Sequence, residues 1–233
     1  MGVVELRRAL FAAYVEQLPP SRSTRNILRA ALLRYWQLSP RRRQPPTGVL
    51  KVPRKPRGVC RALEEHDAVL LEKAALGAVP QPAGVAVLLG LYQALRRGEI
   101  ARCRWDWWDW PAGELTVVGK GGAVDSIPIH PAMAEILADY PQRGLYLFPG
   151  RPPRPHVNPA TVWEWTKKVA SKAGISTTTH VLRHTCLATA NDGTGDLRAV
   201  QHYARHTDPA VTTIYTRAHR RRLDAVVAAI RYS

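Results

Sequence analysis

Four residues toward the end of the chain have the types and spacing to hold and cut a phosphate diester. His180 and Arg183 stand three apart in Thr179-His180-Val181-Leu182-Arg183-His184-Thr185, His206 follows, and Tyr215 comes nine residues after His206. A guanidinium fork and imidazoles can bind the oxygens of a phosphate, and a phenol can attack its phosphorus. Three apart on one helix, His180 and Arg183 share a face. Thr177 to Thr179 offer hydroxyl caps at that helix's start, a place that suits an anion. Asp208 as cap and Pro209 at the first helical position begin another helix, which places Tyr215 about two turns in. Taken singly these signals are weak. His-x-x-Arg is commonly a surface pair, and a tyrosine beside Val211 and Ile214 is commonly core.

The elements that must position these residues are mainly helical. Apolar residues at helical spacing predict helices at 3–17, from about Ser21 through Tyr35, and at 64–76 and 83–103. Others are expected at 131–139, 159–173, 180–191, 196–204, 209–217 and 220–231. Alternation over Glu114–Val118 and Val124–Ile129 around Gly119-Lys120-Gly121-Gly122 predicts an antiparallel hairpin, weakened by Pro128. The tryptophans at 105, 107, 108 and 110 are expected to pack beside that sheet. The expected class is mainly α with a small antiparallel β-sheet. Residues 39–58 are rich in Pro and Arg without a period and read as a linker, either lying on a phosphate backbone or serving as a solvated tether.

Composition narrows the partner. The chain has 233 residues, 34 basic and 18 acidic, for a formal charge of +16. Residues 1–58 hold 13 of the basic side chains and only 2 acidic ones. Such an excess points to a polyanion, and nucleic acid fits better than a membrane because no amphipathic anchor accompanies it. A merely basic, soluble surface is the plainer alternative. The expected DNA contacts are Arg22, Arg25 and Arg29 on the second helix, and Arg41, Arg42, Arg43, Lys51, Arg54 and Lys55 in the linker. The longest apolar run, Ala83 to Tyr92, is too short to cross a bilayer and reads as a buried helix. The N-terminus lacks a signal-peptide pattern. Cys60, Cys103 and Cys186 form no Cys-x-x-Cys pair and are expected to be reduced, which suits a cytoplasmic, DNA-associated protein.

Taken in order, these segments resemble the tyrosine recombinases, the phage-integrase family. The resemblance rests on His180-Val181-Leu182-Arg183-His184-Thr185, Asp196-Leu197-Arg198-Ala199-Val200-Gln201, His206-Thr207-Asp208 and Thr212-Thr213-Ile214-Tyr215-Thr216. Upstream it includes Ala94-Leu95-Arg96-Arg97-Gly98-Glu99-Ile100, Val117-Val118-Gly119-Lys120-Gly121-Gly122, Leu147-Phe148-Pro149 and Ala173-Gly174-Ile175. It spans roughly residues 60–219. It implies that Arg96 and Arg183 clamp the scissile phosphate and that Tyr215 attacks it, leaving a 3′-phosphotyrosine and a 5′-hydroxyl. It implies that Lys120 protonates the leaving oxygen, that His180 handles the tyrosine proton, and that His206 donates to a phosphate oxygen. Glu99, one turn after Arg96, would brace the site. Arg97 competes with Arg96, His184 with His180 and His202 with His206, and family register favours the first of each pair. No metal and no cofactor is expected: the pairs His180/His184 and His202/His206 have zinc-compatible spacing but no suitable further ligand nearby.

Two departures stand out. Arg205 precedes His206 where the family usually has glycine, and the front of the chain is short for a core-binding domain. The expected organisation is a basic helical segment and linker at 1–58, a catalytic domain at 59–219, and a C-terminal helix at 220–233. That last helix would dock on a neighbouring subunit or on its own core. The reading is a site-specific recombinase or integrase of a mobile genetic element, acting on double-stranded DNA. The resemblance implies a homotetramer on DNA, with accessory DNA-bending or directionality proteins as further partners. The rivals are a catalytically silent DNA-binding accessory protein of the same fold and a type IB topoisomerase-like nicking-closing enzyme.

Overall fold

The computed structural model describes Ala30, Arg34 and residues 62–119, 122–205 and 217–232, without the side chains of 217–221. The chain divides into two units, Met1–Val59 and Cys60–Ser233, and the second holds nearly all of the described residues. The helix expected at 3–17, the one expected at 209–217 except for its last residue, and the linker at 39–58 lie outside the described residues.

The centre of the second unit is helix α2 (Pro82–Gln93), which follows α1 (Glu65–Leu76). Every residue of α2 from Ala83 to Gln93 is buried. A helix apolar on all sides can only be placed where neighbours surround it. Here α1, α4 (Pro131–Ala138), α5 (Pro159–Lys172) and α6 (Thr179–Thr194) all pack against it. The close crossing with α6 depends on Gly90: a Cβ there would lie 3.1 Å from two side-chain carbons of Leu182.

The single helix expected at 83–103 is broken. Ala94 adopts φ 48°, a left-handed conformation, and a new short helix α3 (Arg97–Arg102) starts after an extended Arg96. A non-glycine residue in that region costs about 1–2 kcal/mol. What offsets the cost is tertiary. The Ala94 carbonyl, turned out of the helix, accepts from the buried Arg183, and the Glu99 carboxylate caps α3 by accepting the Arg96 N–H at 2.8 Å.

A 3₁₀ turn (Trp105–Trp107) leads into a three-stranded antiparallel sheet of order β1-β2-β3: Trp108–Asp109, Glu114–Val118 and Val124–Pro128. Leu115, Val117 and Ile127 point to the core. Pro128 is tolerated because it ends β3, an edge strand, opposite Glu114. Trp108 is buried in β1 and stacks on the half-exposed Trp110 at 5.3 Å. The rest of the unit is helical, with α7 (Leu197–Tyr203) and α8 (Arg217–Ala229) following α6.

The tail of the described chain folds back on its own unit. Leu223, Val226, Val227 and Ile230 are buried as α8 packs on α6, α7 and β3. Two polar contacts fix its end: the Tyr232 hydroxyl donates to the Leu91 carbonyl, and His130 Nε2 lies 2.9 Å from the Ile230 carbonyl. Since His130 Nδ1 accepts the Ala132 N–H, the hydrogen must sit on Nε2, so the ring is neutral. Burial lowers its pKa below the ordinary value. A histidine whose folded pKa is depressed supports the fold fully above its unfolded pKa of about 6.5 and loses that support as pH falls. Accordingly, His130→Ala should lower unfolding stability at neutral pH by about 1–3 kcal/mol and flatten the decline below pH about 6.5. Denaturant titrations of both proteins across that range measure this, and an acid decline as steep in the variant would refute it.

Cys103 and Cys186 are free and buried, and burial pushes both thiols up to about 12, which keeps them as inert protonated core residues. Cys60 lies outside the described residues. No helix among those described is long and apolar enough to cross a membrane.

Candidate active site

Two chain reversals and one helix face meet at one place: the left-handed stop at Ala94, the end of α7 at Ala204-Arg205, and the inner face of α6. Each delivers an arginine or a carbonyl to it.

Arg183 comes from α6, which Thr178 caps by accepting the Val181 N–H. The residue is almost fully buried, and its two terminal nitrogens donate to the carbonyls of Ala94 and Ala204. Those carbonyls stand at the ends of α2 and α7, where the helix dipoles are negative and a cation is favoured. Burial, and then the nearby Arg205 and Arg96, push the Arg183 guanidinium down to about 9.

Arg96 is the exposed member, with 43% of its side chain accessible. Its Nη1 donates to Glu99 Oε1 at 2.8 Å and its Nη2 to the Arg205 carbonyl at 3.4 Å. Glu99 is buried and accepts three donors: the Arg96 backbone, the Arg96 guanidinium and the guanidinium of Arg205, the last also at 2.8 Å. Burial alone would raise its carboxyl, but Arg205 and Arg96 together hold it below the usual carboxylate range. The rival Arg97 is exposed on α3.

Arg205 occupies the position where glycine is usual in the family that the sequence resembles. Its φ of 51° explains that preference: the turn leaving α7 is left-handed. The arginine therefore carries about 1–2 kcal/mol of backbone strain. Its side chain is buried, reaches Glu99, and donates to the carbonyls of Ala94 and Tyr203 at 3.4 Å each. Its buried Nε has no partner among the described residues. Spacing alone did not place this side chain inside the cluster. The signal available was its occupation of a glycine position.

The two histidines of α6 diverge from Arg183 in setting. His180 is exposed, and its Nε2 lies 3.0 Å from Nε2 of His184, a half-buried ring set at 90° to it. One of these nitrogens must carry the hydrogen and the other accept it. Burial, then His180 and Arg183, lower the pKa of His184. Among the described residues no three ligand side chains come together to hold a metal ion.

His202 lies half-buried on α7. Tyr203, the tyrosine nearest this cluster in sequence, is fully buried. Its hydroxyl donates to the Tyr92 carbonyl at 2.9 Å, and burial raises its pKa well above the ordinary value. It cannot reach a substrate. Lys120, His206 and Tyr215 lie outside the described residues, as do Arg22, Arg25, Arg29, Arg41, Arg42, Arg43, Lys51, Arg54 and Lys55. The described β2–β3 ladder leads up to Lys120, with the Gly119 N–H donating to the Ala123 carbonyl at 2.7 Å.

The charge of the described cluster determines what it can do. Three guanidinium groups surround one carboxylate, leaving a local excess of two positive charges with one member facing solvent. Such a site is arranged for an anion whose charge grows during reaction.

The phage integrase family pattern matches residues 63–222. The tyrosine recombinase XerC of Xanthomonas campestris pv. campestris is 30% identical over 224 residues, covering 91% of this chain and 68% of that protein. Among solved structures, the integrase from mycobacterium phage Brujita is 26% identical, with a TM-score of 0.61 over 96% of this chain and 83% of that one. XerH bound to its difH substrate in a pre-cleavage complex shares the fold, with a TM-score of 0.64 at 16% identity, covering 87% of this chain and 64% of that one.

Proposed function

This chain belongs to the phage integrase family and is a tyrosine-type site-specific DNA recombinase, and we propose that it cuts and rejoins double-stranded DNA through a 3′-phosphotyrosine at Tyr215. The observation that carries the proposal is the meeting of Arg96, Arg183 and Arg205 around Glu99, with Arg205 next to His206 in sequence.

In the proposed reaction the Tyr215 oxygen attacks phosphorus in line, and the bond to the 5′-oxygen breaks. Arg183 and Arg96 neutralise the charge that builds on the non-bridging oxygens, and His206 donates to one of them. A phenol of pKa about 10 is mostly protonated at neutral pH, so its proton must leave during attack, and His180 receives it. Lys120 gives a proton to the departing 5′-oxygen. Attack by a 5′-hydroxyl on the phosphotyrosine reverses every step, so the diester is restored without nucleotide or metal. A homotetramer on two DNA sites would pair the strand exchanges, with DNA-bending or directionality proteins as further partners. The arginines and lysines of 1–58 would contact phosphate.

The test is covalent capture. Duplexes selected from a random pool for binding, and nicked near the cleavage position so that the short 5′ fragment escapes, should accumulate a protein–DNA adduct in the presence of EDTA. Plasmids carrying two such sites should yield recombinants. Relaxation of supercoils without recombinants would instead mark a nicking-closing enzyme, and binding without adducts a silent accessory protein.

The role of Lys120 has its own check. Lys120→Ala should slow cleavage of ordinary DNA by about 10²–10⁴-fold, the usual worth of a general acid. A 5′-bridging phosphorothiolate leaves with little need of a proton and should restore most of the rate. Equal slowing on both substrates would make Lys120 a phosphate-binding residue instead.

A further inference from the structure

Arg205 is an expensive choice for its position. The turn leaving α7 is left-handed, which favours glycine; the side chain brings a third cation beside Arg96 and Arg183; and its buried Nε is unpartnered among the described residues. Stability does not account for it. Its contacts do. Through Nη2 it holds Glu99 Oε2 at 2.8 Å while the other carboxylate oxygen holds Arg96 at 2.8 Å. Its own carbonyl accepts from the second Arg96 nitrogen. Arg205 thus grips the exposed Arg96 from two directions, once through Glu99 and once directly.

We propose that Arg205 is a positioning residue for DNA cleavage, fixing the Arg96 guanidinium through Glu99 and tying it to the turn that enters His206. The inference rests on the recombinase reading above. Without Arg205, Glu99 keeps Arg96 as its one bonded cation, with Arg183 the remaining charge felt across the cluster. Losing Arg205 removes the largest of the influences that lower the Glu99 carboxyl, so Glu99 should protonate at higher pH than in the native chain and its hold on Arg96 should weaken.

The experiment compares Arg205→Gly, Arg205→Lys and Glu99→Gln in the full chain, measuring DNA affinity, folding and single-turnover cleavage of a nicked duplex from pH 5 to 8. Glycine suits the left-handed turn, so Arg205→Gly should fold. It should bind DNA within about threefold of the native protein yet cleave on the order of 10- to 100-fold more slowly, as when the supporting partner of a site residue is lost. Its cleavage should gain an acid decline at higher pH than in the native enzyme. Arg205→Lys should recover part of the rate, and the losses from Arg205→Gly and Glu99→Gln should not add. Native-like cleavage and pH profile in Arg205→Gly would overturn the proposal. So would losses of binding and cleavage in equal proportion. If Arg205→Gly does not fold, native-like cleavage by Glu99→Gln would overturn it instead. Absence of adduct from the native protein itself would instead strike at the recombinase reading.

Discussion

Tyr215→Phe should abolish the covalent protein–DNA adduct while leaving DNA affinity within about twofold, since only the attacking oxygen is removed. Residual cleavage by water, if any, would release free ends and no adduct. The neighbouring candidate cannot substitute. Tyr203 is fully buried, its hydroxyl is committed to the Tyr92 carbonyl, and its pKa is raised far above that of a free phenol. Mass spectrometry of a trapped peptide would identify the linked residue. An adduct formed by the Phe variant would show that the register relating Tyr215 to His206 is wrong.

Arg183→Lys should be almost as damaging. A lysine retains one positive charge but cannot span the carbonyls of Ala94 and Ala204 and present a planar fork at the same time. Cleavage should fall by about 10²–10³-fold, the scale of losing one preorganised donor to a developing anion. The lowered pKa of Arg183 predicts a pH dependence as well. Burial, then Arg205 and Arg96, bring its guanidinium down to about 9. The charged form is the one that binds phosphate, so the second-order rate of cleavage should decline as pH rises through that value in the free enzyme. Bound DNA supplies a negative charge, moves the titration upward, and should protect the first-order rate of the complex. A second-order rate that stays flat well above that value would remove this account.

Much of the helical frame was legible because apolar spacing decided it. Helices α1, α4, α5 and α6 start within about two residues of where capping residues and prolines place them. The break at Ala94 was not legible. Alanine is a good helix former, and nothing local predicts a left-handed alanine. Only the buried donor of Arg183, 89 residues away in sequence, makes that carbonyl worth exposing. The inward turn of Arg205 was hidden for the same reason: its partner Glu99 is 106 residues distant. The difference between exposed His180 and buried Arg183 was likewise invisible to a spacing rule that puts both on one helical face. Their settings depend on the depth at which α6 meets α2, and Gly90 permits that approach.

The position of α2 has a consequence for genetics. Its last turn ends in the carbonyl that anchors two of the arginines, and every residue from Ala83 to Gln93 is core. A substitution there would tilt or loosen that anchor without touching DNA. A random library scored for recombination should therefore show two classes of lesion that look alike in phenotype: changes at the arginines, and changes at Leu88, Gly90 or Leu91. Only the second class should be partly rescued by growth at lower temperature.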